Sequence, residues 1–460
     1  MSDQGLAVAL EKLRAAGVGA AAIEVFGAGY RQLAAGRTGL LAEETIEPLT
    51  DIAHLDQIRV DPRTARAALG ATVVIKLNGG LGTSMGLAGP KTLLPVRDGY
   101  SFLDLLVRQV LAARREHGVR LPLVLMHSFA TRAQSLAALA RYPELAVGSL
   151  PIDFVQSREP KLLAGTLTPV AWPADPDLEW CPPGHGDIYP SLLDSGVLEE
   201  LIEAGFRYAL VSNADNLGAT PDPQLAGWFA GTGAAFAMEV CRRTVNDRKG
   251  GHLAVRRADG RIVLRESAQT AEADRRHFAD EQRHPWFNTN SLWLDLGKVH
   301  AALTERAGVL GLPLIRNLKT VDPRDADSPE VVQLETAMGA AIEVFDRVAV
   351  IEVGRDRFVP VKKTNELLLL RSDCYRVDAA TGRLRATVDR LPVVDLDGEY
   401  YGQIADFDRR IPQPLSLIGA RTLRVRGDIA FGAGVRIVGD ADLVAEQAEV
   451  VADGAVLGSG

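Results

Sequence analysis

The segment of this chain with the most residues suited to chemistry is 76–91, which reads KLNGGLGTSMGLAGPK. It follows the short apolar run 71–75, ATVVI, whose β-branched residues are typical of a buried strand. Glycines lack a Cβ atom, so the backbone N–H groups of such a loop can curl around a ligand and bind phosphate. Lys91 adds a full positive charge at the end of the loop. The segment therefore predicts a phosphate-binding site at the carboxyl end of a strand.

Two commoner phosphate loops do not fit the spacing of these glycines. The dinucleotide fingerprint G-x-G-x-x-G opens directly into a helix, whereas here the third glycine, Gly86, comes one position too late and Pro90 follows. The Walker A loop needs glycine directly before its lysine, but Pro90 precedes Lys91. A plain chain reversal needs fewer glycines and no lysine. The pattern indicates another kind of nucleotide loop.

The segment 77–91 resembles the nucleotide-binding loop of UTP–glucose-1-phosphate uridylyltransferases, in the form typical of the eukaryotic enzymes. The wider sugar-nucleotidyltransferase class usually carries arginine where this chain has Ser84, which favours the glucose branch over the N-acetylhexosamine branch. The resemblance continues in the family's order from about residue 45 to about residue 375. It is carried by the segments 154–158 (FVQSR), 182–189 (PPGHGDIY), 211–220 (VSNADNLGAT), 249–251 (KGG), 287–290 (FNTN), 333–337 (QLETA) and 357–362 (RFVPVK).

The resemblance implies a reaction in which an oxygen of glucose 1-phosphate attacks the α-phosphorus of UTP, giving UDP-glucose and pyrophosphate. A phosphate monoester is largely a dianion at neutral pH, so the nucleophile needs no general base from the protein. Catalysis then depends on bringing two anions into line and neutralising the charge that grows on pyrophosphate. We therefore expect cationic side chains and a Mg²⁺ cofactor at the site.

Three charged residues are expected to meet this need. The resemblance places Lys91 and Lys362 on phosphate as the catalytic cations, although the sequence leaves open whether Lys362 or Lys363 faces the substrate. Asp215 follows the apolar run 209–212, which puts its carboxylate at the carboxyl end of a strand. There it is expected to bind the nucleotide through Mg²⁺, whose preferred ligands are oxygen atoms.

The other site residues are assigned by the same resemblance, position by position. The Gln156 amide offers both a donor and an acceptor to uracil. The residues expected to bind the nucleotide are Leu77, Asn78, Gly79, Gly80, Gln156, Gly184 and Asp215. The residues expected to bind the sugar phosphate are His185, Asn213, Gly251, Glu266, Asn288 and Asn290. Short polar side chains and close backbone approach suit the recognition of hexose hydroxyls.

The composition of the chain narrows the class of protein and its partners. A chain of 460 residues with 47% hydrophobic residues is expected to form more than one domain. Its formal charge of −8, with acidic and basic residues interspersed, counts against nucleic acid as a partner. No apolar stretch is long enough to span a membrane, and the charged residues within 3–14 are unlike a signal peptide. We expect a cytoplasmic protein that binds UTP and glucose 1-phosphate.

The order of the predicted elements indicates an α/β fold. Strand-like runs such as 121–126 and 208–212 alternate with amphipathic segments such as 102–115, which is typical of a mostly parallel, helix-flanked sheet. Together with the resemblance, this order predicts a Rossmann-like, GT-A-like nucleotidyltransferase core with a mixed sheet over residues 71–375. Helical periodicity predicts an N-terminal helical segment over residues 1–70.

The C-terminal part of the chain has a different pattern. From residue 418, short apolar triplets are separated by Gly and Asp at nearly regular spacing. This pattern is typical of the stacked coils of a parallel β-helix, with a loose β-meander as the alternative. We expect residues 376–460 to form a small left-handed parallel β-helix domain that can provide contacts in a homo-oligomer.

Two other functions are compatible with the sequence. The same chemistry could act on another hexose 1-phosphate, such as that of galactose, glucosamine or N-acetylglucosamine. The second alternative is a non-catalytic regulator that binds UDP-sugars on the same scaffold. The presence of Lys91, Asp215 and Lys362 together disfavours this regulator, because a sensor has no need for all three charged groups.

Overall fold

The structure is a computed structural model that describes residues 2–244, 247 and 250–459. Lys249, part of one family-like segment, lies outside the described residues. The α-helices are α1 (Ser2–Ala15), α2 (Ala20–Ala34), α3 (Pro62–Gly70), α4 (Phe102–His117), α5 (Arg132–Leu139), α6 (Ile188–Asp194), α7 (Val197–Glu203), α8 (Pro223–Thr232), α9 (Arg275–Phe278), α10 (Leu296–Glu305), α11 (Thr364–Arg371), α12 (Gly398–Tyr401) and α13 (Ile404–Arg410). Among the described residues, no helix is long and apolar enough to cross a membrane.

The strands form one large sheet and several small ones. They are β1 (Ile46–Pro48), β2 (Ala53–His54), β3 (Thr72–Asn78), β4 (Pro95–Arg97), β5 (Tyr100–Ser101), β6 (Leu123–His127), β7 (Asp153–Val155), β8 (Glu159–Pro160), β9 (Leu162–Leu163), β10 (Trp180–Cys181), β11 (Tyr208–Asn213), β12 (Phe236–Arg242), β13 (His252–Arg256), β14 (Ile262–Arg265), β15 (Trp286–Asp295), β16 (Ile315–Thr320), β17 (Glu330–Glu335), β18 (Val348–Glu352), β19 (Tyr375–Val377), β20 (Leu384–Ala386), β21 (Val393–Leu396), β22 (Ser416–Arg426), β23 (Ile429–Phe431), β24 (Arg436–Val444), β25 (Glu449–Val451) and β26 (Val456–Leu457).

The large sheet forms the centre of the molecule. Its strand order is β2, β18, β12, β15, β11, β3, β6 and β7, and a branch of β13, β14 and β1 is attached through β13 to β15. Neighbours in the main order run parallel, except that β15 is antiparallel to both β11 and β12. The predicted α/β fold with a mostly parallel, mixed sheet is confirmed.

Strand β3 shows how the sheet is covered on both faces. Val73 and Ile75 pack with residues of α6, α7 and α10, whereas Val74 packs with residues of α3, α4 and α8. All three side chains are fully buried. Successive side chains of a strand point to opposite faces, so these contacts define two helical layers. Because both faces are covered, a ligand reaches this sheet only at the ends of its strands.

The first 70 residues contribute strands as well as helices. Leu13 of α1 and Phe26 of α2 pack against Leu162 and Leu334, which lie in the small sheet of β16, β17 and β9. Strands β1 and β2 join the central sheet by pairing with β13 and β18. The prediction of a helical segment over residues 1–70 misses these strands, because runs of two or three residues are too short to show periodicity.

The C-terminal residues form two small parallel sheets. Strands β21, β22, β24 and β26 make one sheet, and β23 and β25 make the other. Paired residues of β22 and β24 are 18 to 20 positions apart, as for Ser416 with Arg436 and Leu423 with Ala441, and those of β24 and β26 are 20 apart, as for Arg436 with Val456. Leu423 of β22 shares a hydrophobic cluster with Leu105 of α4, so this region packs directly on the preceding core.

Candidate active site

The carboxyl ends of β3 and β11 lie side by side. The two strands are parallel, and Leu77 of β3 is paired with Asn213 of β11. The glycine loop leaves β3 at this end, and Asp215 follows β11 by two residues. The sheet therefore delivers the loop and the acidic residue to the same edge, which is where ligands of such sheets bind.

The two ends of the glycine loop are joined by a hydrogen bond, and part of its backbone is exposed to solvent. Gly82 and Gly86 have φ angles of 66° and 71°, in the left-handed region that other residues rarely adopt. The N–H of Lys91 donates to the carbonyl of Gly80 at 3.1 Å, which closes the loop on its lysine. Gly80 is exposed, and a Cβ atom built there would touch nothing. The loop therefore has room for a ligand against its backbone.

Gln156 lies against the same loop. A Cβ atom on Gly79 would lie 2.9 Å from the Oε1 atom of Gln156, so the missing side chain makes room for the amide. The backbone N–H of Gln156 donates to the carbonyl of His127, at the end of β6, at 2.7 Å. The structure thus brings together the amide expected to bind the base and the glycines expected to surround it.

Lys91 connects the three charged segments of the site. Its Nζ atom donates to Oδ2 of Asp215 at 2.7 Å and also to the carbonyl of Val361, the residue before Lys362. The side chains of Lys91 and Asp215 are 14% and 20% exposed, so a ligand can reach the pair from solvent. The residues that the sequence singled out for phosphate and metal therefore meet at one edge.

Lys362 and Lys363 follow Val361, and both are exposed. Lys363 is the N-cap residue of α11, and its backbone N–H donates to Oε2 of Glu366 at 2.7 Å. Burial lowers the pKa of His185 and raises that of Glu266, and the charge of Lys362 acts on both residues in the downward direction as a smaller cause. Lys362 therefore acts on two residues expected to bind the sugar phosphate, and its assignment over Lys363 to the phosphates stays a prediction.

His185 lies on a loop that packs tightly against Thr336. Gly184 has a φ angle of 80°, and a Cβ atom there would lie 2.5 Å from the carbonyl oxygen of Thr336. The N–H of Met338 donates to Nδ1 of His185 at 2.9 Å, so the neutral ring carries its proton on Nε2. Burial, together with the charge of Lys362, lowers the pKa of His185 to about 4. At neutral pH His185 is therefore an uncharged hydrogen-bond donor.

Four residues expected to bind the sugar form a second cluster. Gly251 has no room for a side chain, because a Cβ atom would lie 2.6 Å from Oε1 of Glu266. Nδ2 of Asn288 donates to Oδ1 of Asn290 at 2.9 Å, and the N–H of Asn290 donates back to Oδ1 of Asn288 at 2.8 Å. Asn290 has a φ of 54°, which is uncommon for a residue other than glycine. Burial raises the pKa of Glu266 above its ordinary value.

Two of the residues expected to bind the nucleotide, Asn78 and Leu77, are at least partly buried beneath the glycine loop. Asn78 is 2% exposed, its Nδ2 donates to Oγ of Ser135 at 3.0 Å, and its Oδ1 accepts from Oγ1 of Thr92 at 2.7 Å. Leu77 is half-buried and packs against the main hydrophobic cluster. The Asn78 side chain thus holds the loop in place, and its part in nucleotide binding stays a prediction.

Sequence reasoning misses two buried ionisable residues beside the site. Lys76 donates to Oγ of Ser212 at 2.7 Å and to the carbonyl of Ala219 at 2.8 Å, and burial lowers its pKa to about 7. Asp187 accepts from the N–H and the hydroxyl of Ser157, both at 2.6 Å, and burial raises its pKa to about 6. A lysine inside an apolar strand is the signal that could have revealed Lys76. Asp187 lies within a family-like segment, which is a weaker signal.

Comparison with known proteins bears directly on this arrangement. Residues 23–438 match the family model of UTP–glucose-1-phosphate uridylyltransferase. The enzyme of that name from Solanum tuberosum is 36% identical to this chain over 422 residues, which cover 90% of this chain and 85% of the relative. This chain belongs to the UTP–glucose-1-phosphate uridylyltransferase family. The family predicted from the sequence motifs is confirmed.

Solved structures of related proteins have the same fold. The UDP-glucose phosphorylase of Trypanosoma brucei is 41% identical and superposes with a TM-score of 0.91, covering 99% of this chain and 98% of that chain. A mutant UDP-glucose pyrophosphorylase of Leishmania major, solved in complex with UDP-glucose, is also 41% identical, with a TM-score of 0.92 over 98% of both chains. The predicted enzyme class, a nucleotidyltransferase that acts on UTP and glucose 1-phosphate, is confirmed.

Proposed function

We propose that this site holds the phosphates of UTP on the glycine loop and joins the α-phosphorus to an oxygen of glucose 1-phosphate. The new phosphorus–oxygen bond forms as the bond from the α-phosphorus to the bridging oxygen of pyrophosphate breaks. Because the sugar phosphate is mostly a dianion at neutral pH, no side chain has to remove a proton. The protein therefore contributes position and charge to the reaction.

The observation that carries this proposal is the meeting of Lys91, Asp215 and Val361 at one open edge. Lys91 lies beside the open backbone of the glycine loop, which suits a triphosphate, and Lys362 enters from the segment opposite. In a chain with a formal charge of −8, this local pair of ammonium groups is what attracts two anionic substrates. A lysine is a compact charge on a flexible stem, so it can follow a phosphate as bonds rearrange.

His185 is proposed to hold the sugar phosphate by a hydrogen bond. Its Nδ1 atom already accepts from Met338, which leaves the Nε2 proton for a phosphate oxygen. Because the ring is neutral, it orients the phosphate without repelling Lys362. Asn213, at the end of β11, is proposed to contact the hexose hydroxyls from the other side.

The donor chemistry of Asp215 fits Mg²⁺. This ion prefers oxygen ligands and is commonly held by one or two carboxylates together with substrate phosphates. Among the described residues, no three His, Cys, Asp or Glu side chains form a metal-binding group, so Asp215 would hold the ion in company with the nucleotide. When bound, Mg²⁺ would neutralise phosphate charge. Lys91 must leave Asp215 and turn to the phosphates for this to happen.

The remaining site residues are proposed to bind either the uracil base or the hexose. We assign the uracil to Gln156, the backbone of Gly184 and the Gly79–Gly80 backbone, since the amide of Gln156 already lies against Gly79. We assign the hexose hydroxyls to the cluster of Gly251, Glu266, Asn288 and Asn290, which presents carboxylate and amide groups.

A pyrophosphate-release assay across a panel of nucleoside triphosphates and sugar phosphates tests these proposals. We expect UTP, glucose 1-phosphate and Mg²⁺ together to give the fastest release, and omission of any one to abolish it. A faster rate with the 1-phosphate of galactose, glucosamine or N-acetylglucosamine would reassign the sugar. Binding of UDP-glucose without pyrophosphate release in any combination would instead support the non-catalytic regulator.

The C-terminal region is proposed to form a short left-handed β-helix, with domain limits at 1–70, 71–375 and 376–460. The parallel pairing of β22, β24 and β26, with paired residues 18 to 20 positions apart, supports this assignment. Ile418, Val438 and Val456 lie on or beside successive paired strands and are 54%, 42% and 55% exposed. We propose that this apolar row contacts a second copy of the chain, which light scattering of the Val438→Asp variant would check. Residence in the cytoplasm stays a prediction.

A further inference from the structure

Asn216 follows Asp215 directly and is 1% exposed. Both polar atoms of its side chain form hydrogen bonds to the backbone of a segment that is distant in sequence. Nδ2 donates to the carbonyl of Arg357 at 3.1 Å, and Oδ1 accepts from the N–H of Val359 at 2.9 Å. Asn216 also forms an isolated antiparallel bridge with Pro360. The turn that carries Asp215 is thereby fixed to a backbone that is remote in sequence.

The segment that Asn216 binds, residues 357–360, directly precedes Val361 and Lys362. Residues 358–363 lie between the short 3-10 turn Arg355–Arg357 and α11, and they belong to none of the strands. Lys362 directly precedes Lys363, the N-cap residue of α11, so the helix anchors the end of the segment. The Arg357 guanidinium, bonded to Glu239 at 2.7 Å, anchors the beginning of the segment only.

Other contacts also hold this segment. Lys91 donates from its Nζ atom to the carbonyl of Val361, and Val359 and Val361 are buried in a hydrophobic cluster. The Lys91 contact is expected to change when Lys91 turns to a bound phosphate, whereas the buried hydrogen bonds of Asn216 touch no substrate group. Asn216 is therefore a polar link between the turn of Asp215 and the segment of Lys362 that does not depend on the ligand.

We propose that Asn216 is a positioning residue that fixes Lys362 relative to Asp215 and acts on turnover through Lys362. This inference rests on the role proposed above for Lys362. The position requires an amide, because a carboxylate lacks the donor for the Arg357 carbonyl. A shorter hydroxyl side chain cannot reach both backbone groups.

A double-mutant cycle in the full-length protein tests this coupling. Asn216→Ala, Lys362→Ala and the double variant are compared by pyrophosphate release at saturating UTP and glucose 1-phosphate. We expect Asn216→Ala alone to lower kcat about tenfold while changing the KM for UTP less than about threefold. In the Lys362→Ala background the same change should lower kcat by less than about twofold.

Gln224→Ala is the control for the loss of a side chain that binds backbone through both amide atoms, although Gln224 is only half-buried. Gln224 also grips backbone through both amide atoms, accepting from the N–H of Val60 at 3.0 Å and donating to its carbonyl at 3.3 Å. The melting temperature of this variant should fall, but its kcat should match that of the parent protein. A loss of kcat equal to that of Asn216→Ala would show a general stability effect and overturn the inference.

Two further outcomes would also overturn it. One is an equal loss from Asn216→Ala in both backgrounds, and the other is an unchanged kcat with only a lower melting temperature. If Lys362→Ala itself keeps full turnover, the proposed role of Lys362 fails first, so the two failures are distinguishable. Should Asn216→Ala not fold, Asn216→Asp keeps the size and the acceptor, and the same dependence on Lys362 is expected.

Discussion

The residues proposed to bind phosphate, the phosphate half of the site, and those proposed to bind the sugar, the sugar half, are held in different ways. In the phosphate half, Lys91, Asp215 and Lys362 come from three loops and are joined by an ion pair and a main-chain contact. In the sugar half, Asn288 and Asn290 lie on the single strand β15 and hydrogen-bond each other reciprocally. The side chains of Lys91 and Asp215 are charged and partly exposed to solvent, whereas the Asn288 amide is uncharged and buried.

This difference matches the chemistry of the two ligands. Phosphate charge changes during the reaction, so the groups that hold it need mobile positive charge and act mainly on rate. Hexose hydroxyls keep their charge, so fixed amides serve to choose among sugars. We therefore expect substitutions in the phosphate half to lower turnover and those in the sugar half to change substrate preference.

The largest effect is expected from Lys91→Ala. Loss of the cation beside the glycine loop should lower kcat by about 10²–10³-fold, because the growing charge on pyrophosphate is no longer neutralised. The pyrophosphate-release assay measures this. Lys12→Ala is the matched control, since Lys12 likewise bonds a carbonyl, that of Val170 at 3.0 Å, and a carboxylate, that of Glu179. Comparable loss in the control would remove the distinction between the two lysines.

Lys362→Ala is expected to lower kcat by about 10–100-fold, since one of two phosphate cations remains. Lys363→Ala should change kcat by less than about threefold, because Lys363 caps α11 through its backbone. The same assay on both variants compares two adjacent lysines of similar exposure. A larger loss from Lys363→Ala would show that the neighbouring residue faces the phosphates.

Asn290→Gly should sharpen the assignment of the sugar half. Glycine accepts the φ of 54° at this position, so the substitution removes the amide with little backbone strain. We expect kcat/KM for glucose 1-phosphate to fall by about tenfold, as for the loss of one hydrogen bond, with the KM for UTP unchanged. Steady-state kinetics with each substrate varied in turn check this. A change in the KM for UTP alone would place the residue in the nucleotide half.

The smallest effect concerns the charge state of His185. Lys362→Met removes one cause that lowers the pKa of His185, so this pKa should rise from about 4 but stay below 6.5, because burial remains. Because the pKa of His185 is lower in the folded protein, the unfolded chain takes up the proton at a higher pH. The free energy of unfolding therefore falls as the pH drops from 6.5 towards 4. That loss should be smaller in the variant. NMR titration of the labelled histidine rings measures the pKa. An unchanged pKa in the variant would show that the charge of Lys362 does not act on His185.

The parts of the site that the sequence predicts are those encoded in short segments. The glycine loop with Lys91, and Asp215 after an apolar run, are readable because strand ends and loop chemistry are local. The choice between Lys362 and Lys363 cannot be read from the sequence, because the two lysines are adjacent and alike, and it stays a prediction. The clamp at Asn216 is also invisible in sequence, because its partners lie more than a hundred residues away.

Much the same division applies to the fold. The alternation of strands and helices predicts the mostly parallel sheet, since each element is long enough to show its period. Strands β1 and β2 are missed, because they are held by pairing with β13 and β18 rather than by their own pattern. Lys76 is buried by its neighbours in the sheet, which the sequence alone does not specify.

A crystal structure of the protein soaked with UDP-glucose and Mg²⁺ shows whether the glycine loop and the two lysines bind phosphate. We expect the diphosphate on the glycine loop, with its oxygen atoms within about 3.5 Å of Nζ of Lys91 and Nζ of Lys362. We also expect Lys91 to have left Asp215. A diphosphate bound elsewhere, with the Lys91–Asp215 pair intact and the loop empty, would contradict these expectations.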